Sequence, residues 1–385
     1  ADPHLGFRRY HRLTARGLNQ READVAAAFA SAVNGIIAAA PDAVLLAGDL
    51  FEQVRPTNSA ILQAYRQFQR LRVALPSVPI VLIAGNHDTP RSTDTASILG
   101  RFHELGVHVV NQGAQRFTFG DLSVLAVPHQ ALFEQPRPAM EPMGPERYQV
   151  LVLHGETPGL FGGQRDIEEP GGALLSESDF AGGNWSYVAL GHYHVQHKVR
   201  ARVWSAGALA YVSPNPWGEL RVEREEKIRG KGWLLVDLES GKVERQLITA
   251  PRRVLDLPWL DAGELSNVEL DRLLAEAVDG VKGGIDDAVV RQVVRNVPRT
   301  LARALDHAAI RHWKARALHF QLDLRRPDPV VRQGGSGAPG ARRPLTDELA
   351  SFLRHRPLPA GVDREKFVAE GLEFLAEIDR QAAGG

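Results

Sequence analysis

Five short clusters of polar residues carry the side chains that could hold metal ions. They read Asp2-Pro3-His4, Gly48-Asp49, Gly85-Asn86-His87-Asp88, His154-Gly155 and Gly191-His192-Tyr193-His194. Because the chain contains no cysteine, thiolate sites are excluded and carboxylate, imidazole and amide groups are the available ligands. Such a mixed set suits manganese, iron or zinc better than calcium. The clusters predict a site for two divalent cations that acts on a phosphoryl group.

Two cations held about 3.5–4 Å apart need one short carboxylate that bridges them. Asp49 is the natural candidate. Each cation also needs ligands of its own, and we expect the two histidines of the last cluster to be divided between the sites. The first site would then comprise Asp2, His4, Asp49 and one of His192 and His194. The second would comprise Asp49, Asn86, His154 and the other of His192 and His194.

His87 directly follows a candidate ligand and therefore points elsewhere. We expect it to donate a proton to the leaving oxygen or to hold the phosphate in the transition state. The alternative is that His87 only supports a neighbouring ligand.

The elements that must position these clusters are short apolar strands. Four of the clusters come directly after such a segment, where α/β sheets place their ligand sites. Amphipathic stretches with apolar residues three and four apart fill several gaps between the strands, which indicates an α/β fold. The predicted strands span residues 43–47, 80–84, 107–110, 122–127, 150–153 and 187–190, and the predicted helices span 21–40, 59–71 and 96–105.

The second half of the chain has a different organisation. We expect strands at 201–206, 232–237 and 243–248, the last two joined by a hairpin turn at residues 239–241. After Pro251, a helix at 267–279, a strand at 287–297 with a helical alternative, and one long helix at 299–318 would form a small α+β domain. The glycine-rich segment 328–343 is typical of a flexible linker. Helices at 345–354 and 364–380 would then either dock a partner or pack back on the chain.

Composition excludes several function classes. The 385 residues include 46 basic and 46 acidic ones, so the net charge is zero and coating of nucleic acid by charge alone is disfavoured. No apolar run is long enough to suggest a membrane protein, and no signal pattern opens the chain, so we expect a cytoplasmic protein. The stretch 291–326 is locally basic, and its helix could contact duplex phosphates or be a solvated face. The candidate DNA contacts are Arg299, Arg303, Arg311, Lys314 and Arg316.

The order and types of the five clusters resemble the calcineurin-like metallophosphoesterases. The closer resemblance is to DNA repair exonucleases of the SbcD type, the meiotic recombination eleven family of nuclease subunits. Three further stretches resemble that branch, and the resemblance is specific from Ala1 to about Ile248. They are Gly48-Asp-Leu-Phe-Glu52 followed by Arg55-Pro56, Ala206-Gly-Ala-Leu209, and Lys231-Gly-Trp-Leu-Leu-Val-Asp237.

The resemblance implies two manganese ions, although other divalent cations are possible. Asp2, His4, Asp49 and His194 resemble the ligands of one ion, Asp49, Asn86, His154 and His192 resemble those of the other, and His87 resembles the catalytic histidine. The chain departs from the family at Glu52, where many relatives carry a second histidine. We consider Glu52, Arg55, His129 and His197 as candidate substrate-positioning residues. The family also has a strand ahead of Asp2, so we expect native residues before Ala1.

The resemblance implies a fold in which a two-sheet sandwich is flanked by helices, with a small α+β capping domain and a C-terminal helical element. The expected domains are a nuclease domain at 1–250, a DNA-capping domain at 251–327, a linker at 328–343 and a partner-binding element at 344–385. The expected function is hydrolysis of double- and single-stranded DNA ends in double-strand-break repair by a nucleoid-associated homodimer that binds an SbcC-type ATPase through its C-terminal helices.

Two alternative functions stay open. One is a small-molecule phosphoesterase or cyclic-nucleotide phosphodiesterase of the same superfamily, although such an enzyme has little use for about 135 further residues. The other is a DNA-tethering or ATPase-regulating subunit whose nuclease site is vestigial, and only Glu52 favours it.

Overall fold

The computed structural model describes most of the chain as two separate units, Ala1–Arg325 and Arg326–Gly385. The predicted linker at 328–343 lies outside the described residues. The described ranges are 1–90, 97–157, 171–181, 183–327, 344–356, 358 and 362–383.

The first sheet of the larger unit has three parallel strands in the order β1-β2-β3. The segment that carries Asp2 and His4 runs beside the chain that leaves β1, because Leu5 forms a parallel bridge with Phe51. The four-residue strands are buried or half-buried and rich in valine, isoleucine and leucine, as expected for a parallel sheet covered on both faces. They are β1 (Val44–Ala47), β2 (Ile80–Ile83) and β3 (Val107–Val110).

The second sheet has six strands in the order β4-β5-β6-β7-β9-β8. Its central strands β5, β6, β7 and β9 are parallel, and the two edge strands β4 and β8 pair antiparallel with their neighbours. The strands are β4 (Gln115–Phe119), β5 (Leu122–Val127), β6 (Tyr148–His154), β7 (Tyr187–Gly191), β8 (His197–Arg200) and β9 (Val203–Ser205).

The two sheets face each other across an apolar layer to which both contribute, including Val81 and Ile83 from the first sheet and Val150 and Val152 from the second. Helices cover the outer face of the first sheet, and a smaller apolar cluster covers the second. The predicted two-sheet sandwich flanked by helices is therefore confirmed. Its helices are α1 (Gln20–Ala39), α2 (Asn58–Ala74) and α3 (Glu177–Ala181), with 3₁₀ helices at Ile98–Leu105 and His129–Phe133.

Capping side chains fix where α1 and α2, the two long helices of the sandwich, begin. The Asn19 side chain accepts hydrogen bonds from the backbone N–H groups of Arg21 and Glu22, and the Thr57 hydroxyl accepts one from Ala60. By length and composition alone α1 could cross a membrane, which is weak evidence because core helices pass the same test. One face of α1 is buried in the core against the first sheet. We interpret it as a core helix.

After β9, the chain forms α4 (Pro216–Glu225) and an antiparallel pair, β10 (Gly232–Val236) and β11 (Val243–Leu247). The predicted hairpin turn joins this pair, and Gly241 there has a φ of 70°, in the left-handed region that favours glycine. The last part of the larger unit, residues 254–324, is a four-stranded parallel sheet in which β14 pairs with three others, and a separate core packs α5, α6 and α7 on it. Its elements are β12 (Val254–Asp256), β13 (Leu260–Asp261), α5 (Asn267–Asp279), β14 (Val289–Arg295), α6 (Arg299–Arg303), α7 (His307–Arg316) and β15 (His319–Leu324).

The prediction of one long helix at 299–318 is wrong. The segment forms α6 and α7 with a break between them, and its last residues lead into β15. The Asp306 carboxylate accepts hydrogen bonds from Ala308 N and Ala309 N, at 2.8 and 3.0 Å, and so begins a new helix. The preceding Leu305 is buried in the local core, which holds the break in place.

The smaller unit contains two helices that pack on each other, α8 (Leu345–His355) and α9 (Arg364–Ala383). Leu353 and Val368 are buried, and Gly371 lets Leu353 approach closely because a side chain there would overlap it. An open apolar groove of about 450 Å³ lies between the helices. It is lined by Leu349, Leu353, Phe367, Glu370, Gly371, Phe374 and Leu375.

Candidate metal centre

The predicted ligands lie together at the carboxyl ends of strands from both sheets. Asp49 follows β1, Asn86 follows β2, and His154 ends β6. His192 and His194 follow β7, which neighbours β6. Because the two sheets face each other, these strand ends converge on one region. Three groups of side chains form there, and within each group the candidate ligand atoms lie within 4.8 Å of one another. The groups are Asp2 with His4 and His194, His4 with Asp49 and His87, and Asp2 with Asp49 and His154.

Glycines at the strand ends make this close approach possible. A Cβ on Gly191 would overlap the Ala47 carbonyl oxygen and lie 2.7 Å from Nδ1 of His154. A Cβ on Gly48 would also overlap the His154 ring, and one on Gly85 would overlap the Asp49 carboxylate. These glycines directly precede the candidate ligands Asp49, Asn86 and His192. Each of them therefore leaves space for the chain or for a ligand on a neighbouring strand.

Several candidate ligands have strained backbones. The φ angles of Asp2, His4 and Asp49 are 50°, 49° and 50°, and that of His192 is 99°. Each such conformation costs a non-glycine residue on the order of 1–3 kcal/mol and persists only where the surroundings impose it. Here backbone hydrogen bonds impose it, from Asp2 N to Gly48 O (3.1 Å) and from His4 N to Asp49 O (3.0 Å).

The fully buried Asp49 carboxylate lies between the two groups of ligands. Its Oδ1 accepts a hydrogen bond of 2.9 Å from the backbone N–H of His87. Its Oδ2 lies 3.2 Å from Nε2 of His154 and 3.8 Å from Nε2 of His4. Within the described ranges, Oδ2 accepts no hydrogen bond of good geometry. Since a buried carboxylate oxygen without a donor is costly, this atom fits a metal ligand.

Electrostatic interactions couple Asp49 to the histidines around it. Burial alone would raise the pKa of Asp49, but the charges of His154, His4 and His87 outweigh it and hold that pKa below its usual range. Burial would lower the pKa of His154, yet Asp49 and Asp2 raise it to about 9. A cation at this position would take the place of the proton on His154, which is how metal sites couple binding to proton release.

On one side of Asp49, the rings of His4 and His194 converge, with 3.1 Å between their Nε2 atoms. On the other side, Oδ1 of Asn86 lies 2.8 Å from Nε2 of His154 and 3.2 Å from Nδ1 of His192. The Nδ1–H of His154 donates to the Ala47 carbonyl at 2.8 Å, which leaves Nε2 to face the site. Imidazole, amide and carboxylate groups that converge in this way suit two divalent cations sharing Asp49.

The candidate catalytic residue His87 lies beside His4, with 4.8 Å between ring centroids and an angle of 80° between the rings. Its Nδ1–H donates to the backbone carbonyl of Glu52 at 2.7 Å. The Glu52 carboxylate turns the other way and accepts a hydrogen bond of 2.9 Å from Nδ1 of His4.

Two supporting groups were not identified from the sequence. The buried Asp88 carboxylate accepts hydrogen bonds from the backbone N–H groups of Leu50, Phe51 and Gly85, at 3.0–3.2 Å, and so joins the loops that carry Asp49 and Asn86. Burial and the nearby Asp49 charge raise the pKa of Asp88 to about 6. Its place in the Gly-Asn-His-Asp cluster was a usable signal.

The second supporting group is a buried lysine with two acidic partners. The Lys231 ammonium donates to the His194 carbonyl at 2.8 Å, and it pairs with Glu219 and with Glu223, the latter at 2.9 Å. Burial would lower the pKa of Lys231, but the two carboxylates outweigh it and raise that pKa. Glu219 and Glu223 come from α4, and no sequence pattern connects this helix with the ligand loop.

The remaining candidate substrate-positioning residues are His129, His197 and Arg55, and they differ in burial and in contacts. His129 is buried, donates from Nε2 to the Gly171 carbonyl at 2.9 Å, and its ring centroid lies 6.4 Å from that of His154. His197 is at the start of β8, and its Nδ1 lies 3.7 Å from Oε2 of Glu226. Arg55 is exposed.

The five candidate DNA contacts lie on α6 and α7. Arg316 pairs with Asp286 through two hydrogen bonds of 3.0 and 2.9 Å. The other four are exposed, and they are Arg299, Arg303, Arg311 and Lys314.

Comparison with known proteins agrees with the geometry. A sequence model described as calcineurin-like phosphoesterase matches residues 1–212. The chain is similar to the DNA double-strand break repair protein Mre11 of Sulfurisphaera tokodaii, at 28% identity over 247 residues, which are 62% of this chain and 59% of that protein. Proteins of the same name from Methanocaldococcus jannaschii and Saccharolobus solfataricus are 28% and 27% identical, over 63% and 62% of this chain and 63% and 59% of their own lengths. The chain thus spans about three fifths of the length of these relatives.

We predict that Asp49→Asn greatly weakens manganese binding, because the substitution keeps the shape of the side chain and removes the shared negative charge. At a concentration 100 times the dissociation constant, a ligand stabilises the folded state by about 2.7 kcal/mol. Mn²⁺ at that concentration should therefore raise the melting temperature of the unmodified protein and raise that of the variant much less. Asp42→Asn, an exposed position two residues before β1, is the matched control. An equal upshift in Asp49→Asn would contradict the role of Asp49.

Proposed function

The chain belongs to the calcineurin-like phosphoesterase family, and on that premise we propose that it is a manganese-dependent nuclease. It would hydrolyse phosphodiester bonds at DNA ends in double-strand-break repair. The observation that carries the proposal is the buried Asp49 carboxylate, whose Oδ2 lies within 4 Å of histidines from both groups of ligands. The similarity to proteins named for DNA double-strand break repair supports the choice of DNA as substrate.

Asp2, His4, Asp49 and His194 would hold one cation. Asp49, Asn86, His154 and His192 would hold the other. When bound, two divalent cations supply Lewis-acid stabilisation of the phosphate charge and a nucleophilic water at neutral pH. The strained backbones and packed glycines hold the ligands in place before a cation arrives, which reduces the reorganisation that binding requires.

His87 would act as the proton donor to the leaving oxygen. Its Nδ1–H is held by the Glu52 carbonyl and its backbone N–H by the Asp49 carboxylate. In the protonated ring, Nε2–H would therefore be the proton that is transferred. The neutral ring that results keeps Nδ1–H on Glu52, so the ring does not need to turn during the reaction.

The basic residues on α6 and α7 would bind the phosphates of duplex DNA. Arg299, Arg303, Arg311 and Lys314 are exposed, which supports this role. Arg316 would contribute less, because its guanidinium already pairs with Asp286. Phosphate contacts of this kind bind without regard to sequence, as an enzyme acting on broken ends requires.

The helices α8 and α9 would bind an SbcC-type ATPase. They form a unit of their own, and the apolar groove between them supports a docking role. Phe352 and Phe374 expose 57% and 67% of their surfaces, and exposed aromatic side chains on one helix pair support a partner that covers them.

We further propose a homodimer in the cytoplasm, associated with the nucleoid and without a membrane-bound segment. The outer face of α2 supports the dimer, because Leu62, Tyr65 and Val73 expose 53%, 40% and 77% of their surfaces along one stripe of that helix.

The first prediction from this proposal concerns activity. The protein should release nucleotides from labelled linear duplex and single-stranded DNA in the presence of Mn²⁺. His87→Asn should lower the rate by about 10²- to 10⁴-fold, with Mn²⁺ and DNA binding nearly unchanged, because the proton donor is lost and the ligands remain. His103→Asn, an exposed histidine, is the control.

The outcomes of that assay separate the alternatives. The generic phosphodiester bis(p-nitrophenyl) phosphate is tested alongside DNA. Hydrolysis of this compound without DNA cleavage would make the protein a small-molecule phosphoesterase. Silence on both substrates would favour a tethering subunit with a vestigial site. A His87→Asn variant that loses Mn²⁺ would make His87 a supporting residue instead of the proton donor.

The second prediction concerns salt. Replacing Arg303, Arg311 and Lys314 with glutamine should flatten the dependence of DNA affinity on salt, by about 0.9 in the logarithmic slope for each phosphate that the protein no longer neutralises. Arg316→Gln should change the slope less, because Asp286 already neutralises that arginine. Binding measured by fluorescence anisotropy between about 50 and 200 mM salt tests this, since such interactions weaken over that range. An unchanged slope in the triple variant would make α6 and α7 a solvated face.

The third prediction concerns the ATPase. Phe374→Glu should abolish capture of a purified SbcC-type ATPase in a pull-down, because it places a charge in the apolar groove, and should spare nuclease activity on single-stranded DNA. Glu373→Ala, the exposed neighbouring residue, serves as control. Undiminished capture by the Phe374 variant would exclude the groove as the docking site.

A further inference from the structure

Glu52 contacts two histidines that belong to different parts of the proposed chemistry. Its carboxylate accepts a hydrogen bond from His4, and its backbone carbonyl accepts one from His87. We propose that Glu52 is a positioning residue that fixes which nitrogen His4 presents to a cation, while its backbone holds His87. This inference rests on the proposed function, because it assigns Glu52 a role toward that same metal centre.

The contact with His4 determines the form of that ring. Oε2 of Glu52 lies 2.9 Å from Nδ1 of His4, and His4 is 1% exposed. A carboxylate accepts hydrogen bonds and does not donate them, so Nδ1 carries the proton and the lone pair of the neutral ring is on Nε2. Nε2 is the atom that faces the site, 3.1 Å from Nε2 of His194 and 3.8 Å from Oδ2 of Asp49. A carboxylate behind an imidazole also makes the ring a stronger metal ligand.

The contact with His87 uses the backbone of the same residue. The Glu52 carbonyl lies 2.7 Å from Nδ1 of His87, and the rings of His4 and His87 meet edge to face. Both rings therefore have Nδ1 held by Glu52, one by its side chain and one by its main chain. Any movement of this residue would displace a candidate ligand and the candidate proton donor together.

The local backbone holds Glu52 in position for both contacts. Its N–H donates to the Leu5 carbonyl at 3.1 Å, and Leu5 N–H donates to the Leu50 carbonyl at 2.9 Å. Phe51, the preceding residue, is fully buried. The segment that carries His4 and the segment that carries Glu52 are thus joined by a short parallel ladder. The Glu52 side chain is 25% exposed and the His4 side chain 1%, so most of this contact is shielded from water.

A purely structural role for Glu52 would have different consequences. If Glu52 only packed between the two segments, its removal would lower the thermal stability and leave Mn²⁺ affinity and the form of the His4 ring unchanged in the folded protein. If Glu52 positions His4, its removal changes the Mn²⁺ affinity and the protonated nitrogen of the His4 ring even where the melting temperature stays the same.

The test compares Glu52→Ala with Glu52→Gln in the full chain. The alanine variant should lose about 10- to 100-fold in Mn²⁺ affinity, the range for partners of metal-bound histidines, as measured by isothermal titration calorimetry. The glutamine variant keeps an oxygen that can accept from Nδ1 and should recover a large part of the loss. Gln53→Ala, the exposed neighbour, should bind Mn²⁺ as the unmodified protein does.

A second measurement keeps the test independent of folding and of nuclease activity. In the metal-free protein, ¹⁵N NMR of the histidine side chains, with His4 assigned from a His4→Gln variant, should show the proton on Nδ1. In Glu52→Ala that signal should change toward the mixed tautomers of a ring without a fixed partner. Wild-type Mn²⁺ affinity together with an unchanged His4 signal in folded Glu52→Ala would overturn the inference. A protein that fails to cleave DNA but shows these effects would refute the nuclease proposal and leave the role of Glu52 intact.

Discussion

The buried Asp49 carboxylate imposes the main constraint on this fold. A fully buried charge is tolerated only where opposite charges or hydrogen-bond donors surround it. His154 lies on one side and His4 on the other, and the backbone N–H of His87 satisfies the second oxygen. Each of these neighbours comes from a different part of the chain. The arrangement of the two sheets, the approach of the segment ahead of Leu5, and the loop after β2 all have to bring groups to this one carboxylate.

Meeting that constraint costs stability in the metal-free protein. Strained φ angles at Asp2, His4, Asp49 and His192 store energy that a relaxed loop would release. The surrounding structure offsets this cost with rigid supports, including the Asp88 carboxylate between two ligand loops and Lys231 beneath the His194 carbonyl. Cation binding would then add stability at a place where the backbone is strained. Such a distribution of strain is typical of sites built for binding or catalysis.

The sequence predicted which residues come together more completely than it predicted the elements behind them. Most of the ligands follow a short apolar strand, so the rule that ligand sites lie at the carboxyl ends of strands was sufficient to bring them together. It could not reveal Glu219 and Glu223, because the pairing of α4 with Lys231 depends on tertiary packing. The helix at 299–318 was predicted too long, because helical periodicity continues through the break that the Asp306 cap creates. The two-residue strand β13 and the edge strand β4 carry too little apolar pattern to be recognised without their neighbours.

The proposed metal centre depends on the sharing of Asp49 between two cations. The most direct test is anomalous diffraction at the manganese absorption edge from crystals soaked in Mn²⁺. Two peaks about 3.5–4 Å apart are expected, one beside His4 and His194 and the other beside Asn86 and His154, with the Asp49 carboxylate between them. A single peak, or two peaks that Asp49 does not join, would mean that Asp49 is not shared between two cations.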